Sequence, residues 1–135
     1  MRARLLSVAA AIGLAHLPSH ALGLGELKVQ SHLGAPLQAE VRVLDITEEE
    51  AATLRAAVAS PETFRAAGAE YNATLTGVKV SLHRRGDGSH VLRLAGTQPV
   101  QDPYMDLIVE ASSRSGRVMR DYTLLFEPRP AGRKP

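Results

Sequence analysis

The chain has 135 residues, with 16 Lys+Arg against 14 Asp+Glu, 5 His and no cysteine or tryptophan. Such a near balance gives little long-range attraction toward phosphates, and with neither a basic recognition helix nor an aromatic-basic platform it argues against nucleic-acid binding. The absence of cysteine excludes a disulfide framework and any thiolate metal site.

Met1 to Arg4 carry two arginines and no acid, Leu5 to Ala15 are almost wholly apolar, and Pro18 precedes Ser19-His20-Ala21. This order of charged, apolar and small residues is that of a cleavable signal peptide, residues 1–21, with the cut expected between Ala21 and Leu22. A membrane anchor is the alternative, but a helix needs about 20 apolar residues to cross the hydrocarbon core. This run is interrupted by Ser7, Gly13, His16 and Pro18. No later segment is long or apolar enough to span, so the expected product has no membrane span and works outside the cytoplasm. Arg2 and Arg4 leave with the leader, so 16 basic residues become 14 against 14 acids. The remaining 114 residues (135 less 21) are enough for one hydrophobic core without disulfides.

Leu27 and Val29 predict a short first strand. After a Gly34-Ala35-Pro36 turn, Leu37, Ala39, Val41 and Val43 alternate with Gln38, Glu40 and Arg42 to give a second strand with one buried face. Thr47 then offers an N-cap hydroxyl with Glu50 three residues on, and the alanine-rich stretch to Val58 predicts a helix. Ser60 with Pro61 caps a second, shorter helix that runs through Phe64 and ends at Gly68. Val78, Val80 and Leu82 return to β alternation, Gly86-Asp87-Gly88 turns, and Val91 to Leu94 comes back. Pro99 and Pro103 flank an extended link into Tyr104 to Ala111, and Ser112 to Gly116 turns into a last strand from Arg117 to Phe126. Leu107-Ile108-Val109 and Leu124-Leu125-Phe126 are apolar on both faces, which predicts that this final hairpin lies at the centre of the core. The fold expected is mainly β: a two-layer antiparallel β-sandwich of about six strands, with one or two short helices inserted after the second strand. It occupies residues 22–127, followed by a disordered tail over 128–135.

Several blocks together resemble the N-terminal periplasmic domain of the FimV/HubP family. They are Ala21-Leu22-Gly23-Leu24-Gly25-Glu26; Ser31 to Glu40 (SHLGAPLQAE); Ala59 to Phe64 (ASPETF) with Gly68; Gln98 to Leu107 (QPVQDPYMDL); and Ser115 to Leu125 (SGRVMRDYTLL). The resemblance implies a periplasmic interaction domain linked to type IV pilus assembly or cell-pole organisation. Two departures stand out. Ala111 to Ser115 lacks the tryptophan usual in the family's last hairpin, and the chain stops at Pro135, where the family continues into a LysM module, a membrane helix and a cytoplasmic repeat region.

Individual side chains support no catalytic reading. His83 and His90 bracket a turn, but two imidazoles without a further ligand make an incomplete metal site. His32 stands alone. No serine sits in a nucleophile elbow, and Ser112, Ser113 and Ser115 read first as turn formers. Glu48, Glu49 and Glu50 complement a helix dipole, and Asn72-Ala73-Thr74 fits a glycosylation acceptor of little weight. Arg84, Arg85, Arg114, Arg117 and Arg120 are the candidate contacts for an anionic partner, with solvated strand and turn positions as the plain alternative. The expectation is therefore a non-enzymatic adaptor with no cofactor or metal, free in the periplasm, whose sheet edge or arginine-bearing hairpin binds envelope or pilus-assembly proteins. Binding of peptidoglycan is the alternative.

Overall fold

The computed structural model describes residues 22–130. The expected leader with Ala21, and residues 131–135 of the expected tail, lie outside them. Among the described residues, seven strands form two antiparallel sheets. The first sheet has the order β1-β2-β5-β4, from Gly23–Val29, Pro36–Leu44, His90–Pro99 and Lys79–Arg84. The second has the order β3-β6-β7, from Arg55–Val58, Tyr104–Ser113 and Gly116–Leu125. The expected β-sandwich is thus the observed one, with one strand more than expected.

Alternation places the core. Leu37, Ala39, Val41 and Val43 of β2 and Leu92 and Leu94 of β5 are buried facing Met105, Leu107, Val109 and Ala111 of β6 and Leu124 of β7. Phe64 and Leu75, from the segment between β3 and β4, complete the same cluster, with Phe64 edge-on to Tyr71 at 5.0 Å between centroids. Leu22 and Leu24 also belong to it, so the hydrophobic core begins at the first described residue.

Both helices start where the caps predicted. The Thr47 hydroxyl accepts from the Glu50 amide at 3.0 Å, and the Glu50 carboxylate accepts from the Thr47 amide at 2.9 Å, a closed capping box on α1 (Glu48–Thr53). Ser60 caps α2 (Pro61–Ala66), and Gly68, at φ 76°, takes the left-handed turn after it.

Two expectations are corrected. The alanine-rich helix does not run to Val58: α1 ends at Thr53, and Arg55–Val58 becomes β3, paired with Ser112 to Val109 of β6. An open β6 edge offers hydrogen bonds and burial for Ala56 and Val58, which outweighs the few tenths of a kcal/mol per residue of helix preference. The final hairpin is central only in part. β6 lies mid-sheet and buries Leu107, Ile108 and Val109, whereas β7 is an edge strand whose Leu125 is 59% exposed between buried Leu124 and Phe126.

Loops are tied at the far end. The Gly34 amide donates to the Val100 carbonyl at 2.7 Å, the Val100 amide to Ala35 at 3.0 Å, and the Leu33 amide to Glu127 at 2.9 Å. The extended link after β5 and the end of β7 are therefore both fastened to the β1–β2 turn.

A chain starting at Leu22 should retain the full stability of the domain, because every core residue is present. Starting at Gly25 removes Leu22 and Leu24 and should cost about 3–6 kcal/mol, at ~1.5–3 for each buried leucine; urea unfolding midpoints measure the difference.

Candidate functional site

The β4–β5 hairpin closes with Arg84 opposite His90, and its turn is held by the Arg85 amide on the Ser89 carbonyl at 2.7 Å. Asp87 accepts from the Ser89 amide at 2.9 Å and hydroxyl at 2.6 Å, and these bonds hold its carboxyl below the ordinary aspartate value. His83 pairs with Val91 and His90 with Arg84, one register step apart, so the two imidazoles project from opposite faces of the sheet. His83 instead meets the Ser81 hydroxyl at 3.0 Å. Among the described residues, no group of three or more His, Cys, Asp or Glu side chains is placed to hold a metal ion.

Arg85 folds back over the outer face of the first sheet, where its guanidinium donates to Glu40. Arg93, directly across from Glu40 in the register, reaches the other carboxylate oxygen at 3.2 Å. Glu40 is buried at a position that alternation assigned to solvent, and two half-exposed arginines make that burial tolerable. A cleft of about 250 Å³ lies here, lined by Lys28, Glu40, Arg42, Arg85, Asp87 and Val91 among others.

The β6–β7 hairpin turns at Arg114-Ser115, between paired Ser113 and Gly116. Arg114 is exposed at the tip, and Arg117 donates to Glu110 at 3.2 Å while remaining largely exposed. Helix α1 connects the two hairpins: Glu48 lies 3.8 Å from Arg84, and Glu50 accepts from the Ser115 hydroxyl. Arg84, Arg85, Arg114 and Arg117 therefore share one end of the sandwich.

Arg120 does not join them. It stands on the inward row of β7 with Tyr122, and its Nη1 donates to the Leu24 carbonyl at 2.9 Å with the guanidinium 5.0 Å from the Tyr122 ring centroid. The Tyr122 hydroxyl donates to the Gly25 carbonyl at 2.7 Å. Those carbonyls sit where the β1–β2 register shifts between Leu24 and Leu27, a bulge that leaves backbone groups outside the ladder. A Cβ at Gly25 would lie 3.2 Å from Arg42 Cβ, a tight approach that the neighbouring strand would have to yield to. Arg120 thus links the two sheets while its side chain remains exposed.

Sequence reading missed Arg55, which it placed inside a helix. As part of β3, Arg55 lies across from Ser112, whose other neighbour is Arg117, so it joins the arginines at this end. The opposite end is acidic. Glu70, Asp102 and Asp106 line a cleft of about 650 Å³ with Tyr71, Asn72 and the exposed Tyr104. Asn72 is tied down there: its carbonyl accepts from the Thr74 amide at 2.9 Å and its amide donates to Asp102 at 2.8 Å. These acids are scattered in sequence, and only the fold gathers them.

Two antiparallel sheets packed face to face, with short helices in the connections on either side of β3, define an immunoglobulin-like sandwich domain. The family model described as the FimV N-terminal domain, an Ig-like domain, matches residues 22–129, and the chain belongs to that family. It is 34% identical over 128 residues to the motility hub protein FimV of Pseudomonas aeruginosa strain PAO1, and equally to that of strain UCBPP-PA14. Each alignment covers 95% of this chain and 14% of the relative, so the chain spans about a seventh of the length of these proteins. No solved structure matches the chain. No described helix is long and apolar enough to cross a membrane.

Burial raises the Tyr122 phenol above the usual tyrosine value, against the opposing pull of Arg120. The unfolded chain titrates this group near pH 10. The clasp's contribution is therefore complete below about pH 10 and is lost as pH rises through the higher folded value. Tyr122→Phe should lower stability by about 1 kcal/mol at neutral pH and flatten that alkaline decline, as read from thermal melts across pH 8–11.

Proposed function

We propose that this chain is a non-enzymatic adaptor of the periplasm, exported by residues 1–21 and cut after Ala21, which binds a component of the type IV pilus or envelope machinery. The observation that carries the proposal is membership of the FimV N-terminal family across the whole sandwich, in relatives named as motility hub proteins. Nothing in that family description names a catalytic activity.

The geometry favours the hairpin end over a sheet edge as the contact. β1 packs along β7, and β3 packs beside β4, so both lateral seams of the sandwich are occupied by the chain itself. At the hairpin end, Arg84 is exposed with only a loose pairing to Glu48, and such a pair contributes little and yields readily to a partner carboxylate. The acidic cleft at the other end is lined by carboxylates, which repel the carboxylates of wall peptides, so peptidoglycan binding has less support.

Deleting the gene should impair twitching motility, pilus assembly or the placement of polar proteins. An Arg84→Glu replacement in the chromosomal copy should reproduce part of that loss with the protein still present at normal level. Motility, piliation and polar placement all unchanged in the deletion would remove the pilus assignment.

A further inference from the structure

The outer face of the first sheet carries Lys28 on β1, Arg42 on β2, Lys79 on β4 and Arg93 on β5, all of them exposed. The β4–β5 turn folds back over this face and adds Arg85. Against these five cations the four strands and the turn set three acids, Glu26, Glu40 and Asp87. Both carboxylate oxygens of Glu40 are taken, by Arg85 and by Arg93, although Lys28 stands directly across from Glu40 in the β1–β2 register. Asp87 accepts from the amide and hydroxyl of Ser89 within its own turn. Lys28 and Arg42 are left with no ion pair among the described residues. These two cations border the cleft of about 250 Å³, together with Glu26, Arg85 and Val91. Val91 is only 3% exposed although it stands in the outward row across from Arg42, and it gives the cleft an apolar side.

From this arrangement we infer that the cleft binds the carboxylate of an acidic side chain from a partner protein, with Lys28 and Arg42 as the residues that hold it. The register makes them diagonal neighbours, since Arg42 lies two residues beyond Glu40, and side chains this long converge across the separation of about 7–8 Å typical of such pairs. An arginine fork takes a carboxylate through two parallel hydrogen bonds, and the Lys28 ammonium adds a second charge. Methylenes of the incoming side chain then lie against Val91. Glu26 limits the site to a single negative charge. It lines the same cleft, so a phosphate dianion meets its repulsion and that of Asp87, whereas one carboxylate is outweighed by the two cations. Lys28 and Arg42 are exposed, so each pairing contributes little in water and the site is weak and salt-sensitive. That the carboxylate belongs to a protein rests on the adaptor reading, because the cleft adjoins the turn that follows Arg84; that a carboxylate binds does not.

The test is a nuclear magnetic resonance titration of the isotopically labelled chain from Leu22 to Pro135, which holds the entire core, with a capped peptide of three glutamates. At low salt it should give saturable amide shifts around Lys28, Arg42 and Val91 with a Kd of about 1–10 mM, and these should vanish in high salt. Lys28→Ala and Arg42→Ala combined should weaken binding by about tenfold or more, and Glu26→Gln should strengthen it by about two- to threefold. Arg65→Ala, which removes an exposed charge on α2 outside the cleft, should leave the titration unchanged. Inorganic phosphate should bind more weakly than the peptide, and a wall stem peptide no better than it. All the substituted residues are exposed, and unchanged circular dichroism melts identify variants that remain folded. No saturable shift by about 50 mM peptide, a double variant that binds like the parent, or tighter binding of phosphate would each overturn the carboxylate site. Tighter binding of the stem peptide would overturn the assignment to a protein. Unchanged motility in the gene deletion removes the adaptor reading and leaves the carboxylate site standing.

Discussion

Everything in this domain depends on two sheets keeping water out of the space between them without a covalent link. The chain has no cysteine, so the B–F disulfide that braces many sandwiches of this shape is replaced by packing alone. Leu37, Val41, Leu92 and Leu94 on one sheet and Leu107, Val109 and Leu124 on the other are almost fully buried against each other. Sheets stacked in this way are open along their sides, and each seam needs its own closure.

The closures account for the residues that alternation alone would misplace. Tyr122 is half-buried on β7, where a polar side chain is costly unless it is paired, and the exposed Arg120 lies against its ring. The bulge in β1 supplies two carbonyls outside the ladder at the point where those side chains arrive. The same principle governs Glu40, which faces outward yet is buried beneath Arg85 and Arg93. The five arginines read as candidate contacts all remain exposed and differ in what holds them: Arg120 reaches the Leu24 carbonyl, Arg85 the buried Glu40, Arg84 the exposed Glu48 and Arg117 Glu110.

Helix α1 illustrates how a short element with a strong cap can organise a surface. It has only six residues, too few to be stable alone. Its capping box fixes Glu50, whose carboxylate also receives the Ser115 hydroxyl, and Glu48 approaches Arg84. Two hairpins far apart in sequence are thereby held at one end of the sandwich. This arrangement interleaves Arg84, Arg114 and Arg117 with Glu48, Glu50 and Glu110 at the hairpin tips, while carboxylates gather around Asp102 and Asp106 at the other end.

The sequence by itself determined the class of fold and most of its elements, because period-2 alternation, turn residues and helix caps are set by neighbours within a few positions. The burial of Leu37, Ala39, Val41 and Val43, the Thr47 and Ser60 caps, the Gly34 and Gly88 turns and the turn between β6 and β7 are of this kind. The blocks that resemble the FimV family were also legible, since they are contiguous. Tertiary structure alone decided the rest. Arg55 to Val58 prefer helix locally and become a strand only because β6 presents an unpaired edge. Leu124 to Phe126 read as doubly apolar, yet in a two-layer sandwich only the inner face of a strand is covered by the other sheet, so Leu124 and Phe126 are buried and Leu125 is left 59% exposed. Whether an arginine is a clasp or a free contact depends on which carbonyl or carboxylate lies across space from it. For Arg120 that group is 96 residues away in the chain, at Leu24, and no local pattern carries that information.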